Sequence, residues 1–301
     1  MKKNNTWVVT IDFSPIDTEV INYAKYLGAL QRPEKIYFVN VVKEFVSYIS
    51  EGFQGVQEQI LMDQKLQQEN KVDMLFKDVS IPHECHIMTG TPFEEVIELV
   101  QNKSASLVIA GKKKISTGSG IVSERLSRNL PCDILLVTED FKPNLSNVLV
   151  TTDFSERADL SMEKALELLS EKREEINFYA HHSYSVPFGY SILGKSYDEF
   201  AEIMKSSAEK EMFKWLRKFD HKISPILTLK GETSFAKQVI EQTVKLNIDL
   251  IVMGTRGQTA ASLELLGSNT MKVLKEDTQV PILIVKKPGE NISFIDSMRT
   301  I

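Results

Sequence analysis

A chain of 301 residues with 42% apolar side chains is long enough for two domains, each with its own core. Its 36 basic and 41 acidic side chains leave a net charge of −5, and no apolar run approaches the roughly eighteen residues of a membrane span, so neither a nucleic-acid nor a membrane partner is expected. The two cysteines, Cys85 and Cys132, fall in different strand-like runs without a CxxC partner, which argues against a disulfide framework or a zinc site. The opening Met1-Lys2-Lys3-Asn4-Asn5-Thr6 leads into a strand without a signal-peptide core, so the expected location is cytoplasmic.

Residues 7–13 form a short apolar run ending in an acid, and Ser14-Pro15 opens a helical pattern to about Gly28. Ile36 to Val42 is a second strand, followed by a polar helix from about Glu58 to Lys77. His83 to Met88 is a third strand, Gly90-Thr91-Pro92 turns, and Phe93, Val96, Ile97 and Val100 have helical spacing. Leu107 to Ala110 ends at Gly111, a helix covers Val122 to Asn129, and the strand Asp133 to Val137 closes the unit. Strand and helix alternate four times before a last strand, the pattern of a parallel doubly wound α/β sheet.

From Asn147 the same order begins again. Thr-Ile-Asp-Phe-Ser at 10–14 recurs as Thr-Thr-Asp-Phe-Ser at 151–155, and Gly90 as Gly231. Leu107-Val-Ile-Ala-Gly111 recurs as Leu250-Ile-Val-Met-Gly254, and Ile134 to Val137 as Ile282 to Val285. A period of about 145 residues is too long for a solenoid and fits a duplicated domain. The expected domains are 1–143 and 144–301. The join, Thr138 to Ser146, is short and holds Pro143, so the halves are expected to pack as a pseudo-symmetric pair. The second half adds a helical segment, Tyr197 to Phe219, with apolar residues at three-and-four spacing, expected to lie on the sheet or on the partner half. Glu290 to Ile301 is a tail without an evident role.

The chemically distinctive stretch is Gly254 to Ser268, a strand end, then Gly257, then nine residues, then Gly267-Ser268 at a helix start. Glycines that admit close backbone approach or φ > 0, followed by a helix N-terminus with a hydroxyl, offer N–H groups to a phosphate. A plain strand-to-helix connection gives the same pattern. In a doubly wound sheet ligands sit at the carboxyl ends of the strands where the winding reverses. There Thr151-Thr152-Asp153 would lie opposite the Gly254 loop, an acid facing a phosphate cradle. Asp153 also reads as the N-cap of the following helix.

The terminal acid of the first strand, Gly231 before the third helix, and the spacing Gly254, Gly257, Gly267, Ser268 together resemble the universal stress protein family, in its tandem two-domain form. The resemblance implies sheets of five strands ordered 3-2-1-4-5, paired through their fifth strands, with ATP in the crevice, alone or with Mg. By position, Thr151, Thr152 and Asp153 would flank the adenosine, and Met253, Gly254, Thr255, Arg256 and Gly257 would wrap ribose and phosphates. Gly267, Ser268, Asn269 and Thr270 would hold the phosphates. His182 stands where the family usually has a small apolar residue against adenine. In the first half Lys112-Lys113-Lys114 follows Gly111, the second glycine is missing, and Gly120 and Ile121 stand opposite Gly267 and Ser268. That half is expected to hold no ATP, and its lysines to be a solvated loop.

The expected function is an ATP-binding stress-response regulator with an unidentified protein partner, and a homodimer of the tandem is compatible with it. A nucleotide-free scaffold and a slow ATPase are the alternatives. No GxxxxGK[ST] occurs, and Glu264 is the one carboxylate between Gly254 and Thr270, so no catalytic residue is expected. In His83-Glu84-Cys85-His86 alternate side chains point to opposite faces, which argues against a metal cluster. His181-His182 is expected to line the crevice.

Overall fold

The computed structural model describes residues 5–42, 54–113, 120–139, 145–190, 194–231, 233–255 and 266–287. The chain separates into two compact units, the first spanning Met1–Pro143 and the second Asn144–Lys287. The tail from Glu290, Arg256, Gly257, Glu264, Lys114 and most of the join lie outside the described residues.

In unit 1, β1 (Thr6–Thr10), β2 (Lys35–Val42), β3 (His83–Thr89), β4 (Leu107–Gly111) and β5 (Asp133–Val137) alternate with α1 (Asp17–Gln31), α2 (Gln54–Phe76), α3 (Pro92–Asn102) and α4 (Gly120–Asn129). The strands lie in the order β3-β2-β1-β4-β5, all parallel, as the resemblance implied. Unit 2 repeats the plan with β6 (Asn147–Thr151), β7 (Asn177–Tyr184), β8 (Ile223–Leu229), β9 (Leu250–Gly254) and β10 (Ile282–Val285). Its helices are α5 (Glu156–Leu168), α6 (Tyr197–Leu216), α7 (Phe235–Lys245) and α8 (Ser268–Lys275), and its strand order is β8-β7-β6-β9-β10. Continuous apolar runs make the central strands because helices cover both faces: Val8, Val9, Val108, Ile109, Val148, Leu149, Ile251 and Val252 are fully buried.

The first strand ends at Thr10, earlier than the apolar run suggests, because the chain turns at Phe13, whose φ is 60°. Ser14 and Pro15 form that turn, and α1 starts only at Asp17. It then runs on through Gly28 to Gln31, since a Cβ at Gly28 would meet Ile81 Cδ1 at 2.7 Å and glycine there serves packing, not termination. In unit 2 the starts of α5, α6 and α7 are fixed by hydroxyl caps. Ser155 accepts from Ala158 N at 3.3 Å and Ser234 from Lys237 N at 3.3 Å, while Ser196 and Glu199 form a reciprocal capping box. α6 lies against β7 and β8, the sheet-packed outcome.

Candidate functional site

The sheet of unit 2 reverses its winding between β6 and β9, which are paired from Val148↔Leu250 to Val150↔Val252. Beyond their carboxyl ends lies a cleft of about 120 Å³ whose lining includes Thr151, Thr152, Asp153, His182, Met253, Gly254, Asn269 and Thr270. Ala158, Ser183 and Phe235 complete it. Eight of the thirteen residues singled out from sequence therefore meet in one cleft. Thr255, Gly267 and Ser268 lie just beside it and are not among its lining; Thr255 is fully buried.

The backbone explains the arrangement. Gly267 N donates to Thr255 O at 2.7 Å, closing the base of the loop, and Thr270 Oγ1 donates to Gly254 O at 2.9 Å, tying the first turn of α8 to the end of β9. Gly267 is the N-cap of α8, with φ −66°, and Ser268 is the first helical residue, so neither a left-handed glycine nor a serine cap is used there. Gly254 has a different purpose: a Cβ would touch Arg157 Cβ and O and Ser161 Oγ of α5, each at 3.4 Å. Its equivalent Gly111 faces Ile16 at 2.9 Å, so both glycines let the first helix of their unit pack closely. The first N–H groups of α8 have no partner within the helix and carry its positive end.

Asp153 is not the N-cap of α5; Ser155 is. Its Oδ1 accepts from Ser155 N at 3.1 Å and so shapes the turn before the cap. Asp12 does the same in unit 1, accepting from Ser14 N at 3.2 Å. Between acid and serine stands a phenylalanine with left-handed φ in both units, 60° at Phe13 and 66° at Phe154. The Phe154 ring lies against His182, tilted by 31° with ring centroids 4.3 Å apart, a contact that sequence reasoning passed over.

The two histidines of β7 diverge. His181 is fully buried and does not line the cleft; its Nε2 meets Thr228 Oγ1 at 2.9 Å, and its ring stacks on Phe235 at 5.7 Å. Burial, reinforced by the neighbouring His182, pushes it down to about 4, so it is neutral at pH 7. His182 does line the cleft. Burial lowers its pKa also, against the Thr152 carbonyl and the Asp153 charge, which pull it up. Its Nδ1 lies 2.9 Å from Thr152 O, and since a carbonyl only accepts, Nδ1 carries the proton and Nε2 is left as an acceptor.

Unit 1 has a cleft at the same place, and it is the larger one, about 420 Å³. Thr10, Asp12, Asp17, Asn40, Lys113 and Ser123 supply its polar side chains. Lys113 is ion-paired with Asp12 and so is not a purely solvated lysine. Burial raises the Asp12 carboxyl, but the Lys113 and Ser14 hydrogen bonds outweigh it and hold it below its ordinary value. In β3, His86 meets Glu84 at 3.0 Å and His83 meets Asp73 at 3.0 Å, and among the described residues no group of three His, Cys, Asp or Glu could hold a metal ion.

Two doubly wound α/β units in tandem, each with a cleft at the strand ends where its sheet reverses, define the class of fold to which the chain belongs. The model of the universal stress protein family matches residues 4–138 and again 144–286, and the chain belongs to that family. Two universal stress proteins of Methanocaldococcus jannaschii are similar in sequence. MJ0531 is 31% identical over 143 residues, 47% of this chain and 82% of its own length. MJ0577 is 26% identical over 153 residues, 46% of this chain and 94% of its own. The crystal structure of a universal stress protein from Archaeoglobus fulgidus shares the fold across 95% of this chain and 98% of that one, with a TM-score of 0.65 at 18% identity.

Proposed function

We propose that unit 2 binds an adenine nucleotide, ATP alone or with Mg, and that occupancy of this cleft regulates the protein's interaction with a partner in a stress response. The observation that carries the reading is the meeting, in one cleft, of Asp153 with the opening turn of α8 at Asn269 and Thr270. The residues suit the group. The helix start offers N–H donors to phosphate oxygens, Asp153 can accept from ribose hydroxyls, and the His182 Nε2 lone pair can accept from an exocyclic amino group. Charge-assisted hydrogen bonds contribute about 1.5–3 kcal/mol each, so a few of them with base burial reach micromolar affinity, about −8 kcal/mol. The proposed role is binding without turnover, in the cytoplasm.

A second reading, a nucleotide-free scaffold, has its own support. The described cleft, at about 120 Å³, is below the roughly 300 Å³ at which ligand sites begin, and the His182 ring is held against Phe154 beside it. Isothermal titration of the full chain with ATP, with and without Mg, separates the two. The nucleotide reading expects a micromolar dissociation constant that Asp153→Ala weakens about tenfold, the loss of one hydrogen bond to a charged group. Absence of heat at millimolar ATP, with no adenine nucleotide co-purifying by mass spectrometry, leaves the scaffold.

A further inference from the structure

We propose that the base end of the unit 2 cleft is a surface of acceptors only, His182 Nε2 and Ser183 Oγ, and that it selects a purine carrying an amino group over the same ring carrying an oxo group. The inference rests on the nucleotide reading of that cleft and adds which group on the base is read and which residue behind the cleft sets the choice. The strand order β8-β7-β6-β9-β10 gives the ligand its direction. The first turn of α8 comes after β9, Asp153 comes after β6, and His182 and Ser183 stand near the end of β7, on the far side of β6 from β9. Phosphate at the helix start and ribose at Asp153 therefore leave the base against β7.

The protons around these two acceptors are all committed elsewhere. His182 donates from Nδ1 to Thr152 O at 2.9 Å, and Nε2 has no hydrogen-bond partner among the described residues. The Thr152 carbonyl on one side and the Phe154 ring on the other hold the imidazole in this orientation. Ser183 is fixed from behind. Gln238, only 5% exposed, donates from Nε2 to Leu229 O at 2.7 Å, which turns its Oε1 toward two hydroxyls. Ser183 Oγ donates to that oxygen at 2.7 Å and Thr228 Oγ1 at 3.0 Å, so Thr228 in turn accepts from His181 Nε2 at 2.9 Å. Because the Leu229 carbonyl only accepts, the chain has one direction, and Ser183 presents lone pairs alone to the cleft. Gln238 is thus a positioning residue that sets the polarity of Ser183. Lone pairs accept an amino hydrogen and repel a carbonyl oxygen, which makes the surface selective by repulsion as well as by attraction.

The experiment titrates the full chain by calorimetry with ATP and with inosine triphosphate, whose purines carry an amino and an oxo group at the same ring carbon. ATP is expected to bind about tenfold more tightly. His182→Phe keeps a ring against Phe154 and removes the acceptor, so ATP weakens, inosine triphosphate does not, and the ratio falls below about threefold. Gln238→Met frees the Ser183 proton to reach the oxo group, and inosine triphosphate is expected to tighten about threefold, a gain that general loosening of the cleft would not give. His182→Phe, at a half-buried position, carries the test if Gln238→Met fails to melt cooperatively. The proposal is overturned if the two nucleotides bind the wild type equally, if the ratio survives His182→Phe, or if a folded Gln238→Met weakens both alike. Binding of neither at millimolar concentration removes instead the nucleotide reading of the cleft, and the selectivity with it.

Discussion

Phe13 and Phe154 hold left-handed backbone that bulky residues rarely adopt, and they do so at the same step after the first strand of each unit. What over-determines the conformation is the acid before each of them, whose carboxylate accepts the N–H of the serine after it. The site's acids and glycines were thus legible as types and spacing, while their uses were not: Gly254 answers to a helix behind it, and Ser268 caps nothing. Burial was the invisible variable. It drives Asp17 up to about 6, with the Asp12 charge adding and Lys71 opposing. Because the folded chain then binds this proton more tightly than the unfolded chain does, Asp17 lowers stability above about pH 6, and stability is regained as pH falls from there toward 3.8. Asp17→Asn is expected to stabilise the protein by about 1–2 kcal/mol at pH 7.5, less than the shift alone is worth because the Lys71 contact is lost, and by almost nothing near pH 4. Urea titrations at the two pH values measure the difference; equal effects at both would show that ionisation is not the cause.

Among the elements, those with strong periodicity or apolar runs were read from sequence to within a few residues, and the departures come at turns. Helix α2 begins at Gln54, ahead of the polar stretch that announced it, and α1 overruns a glycine that periodicity treated as a stop. Helix α6 was legible as amphipathic, but what fixes it was not. Asp159 on α5 accepts from the indole Nε1 of Trp215 at 2.6 Å and from Lys218 Nζ at 2.7 Å, joining two helices 56 positions apart. Trp215 is 2% exposed, so removing that carboxylate takes away the hydrogen-bond partner of a buried indole N–H. Asp159→Ala is expected to cost about 2 kcal/mol in chemical denaturation, and Lys218→Ala, at a half-exposed ion pair, less than about 0.5 kcal/mol. Comparable costs for the two would place the energy in the ion pair instead.

On the scale of the whole molecule the duplication was the most legible feature, because strand ends and strand order recur where single residues have diverged. Cleft size was not legible, since it depends on how His182, Phe154 and Phe235 fill one mouth while Asn40, Phe13 and Pro92 stand at the corresponding positions of the other. Hydrogen exchange can compare the two copies within one chain. Saturating ATP is expected to slow exchange at Gly254 and at Ser268 to Thr270, and to leave Gly111 and the first turn of α4 unchanged. Protection of both sets would remove the proposed division between units.

The parallel order also has a consequence during synthesis. Trp7 must wait for Leu107, and Val148 for Leu250, before β1 and β6 gain their second neighbours. For about a hundred residues of ribosomal elongation, several seconds at ordinary rates, each nascent unit carries an apolar strand with one flank unmet. The interval in which a holdase would capture this protein, or a neighbouring polysome would entangle it, therefore comes twice in each round of translation.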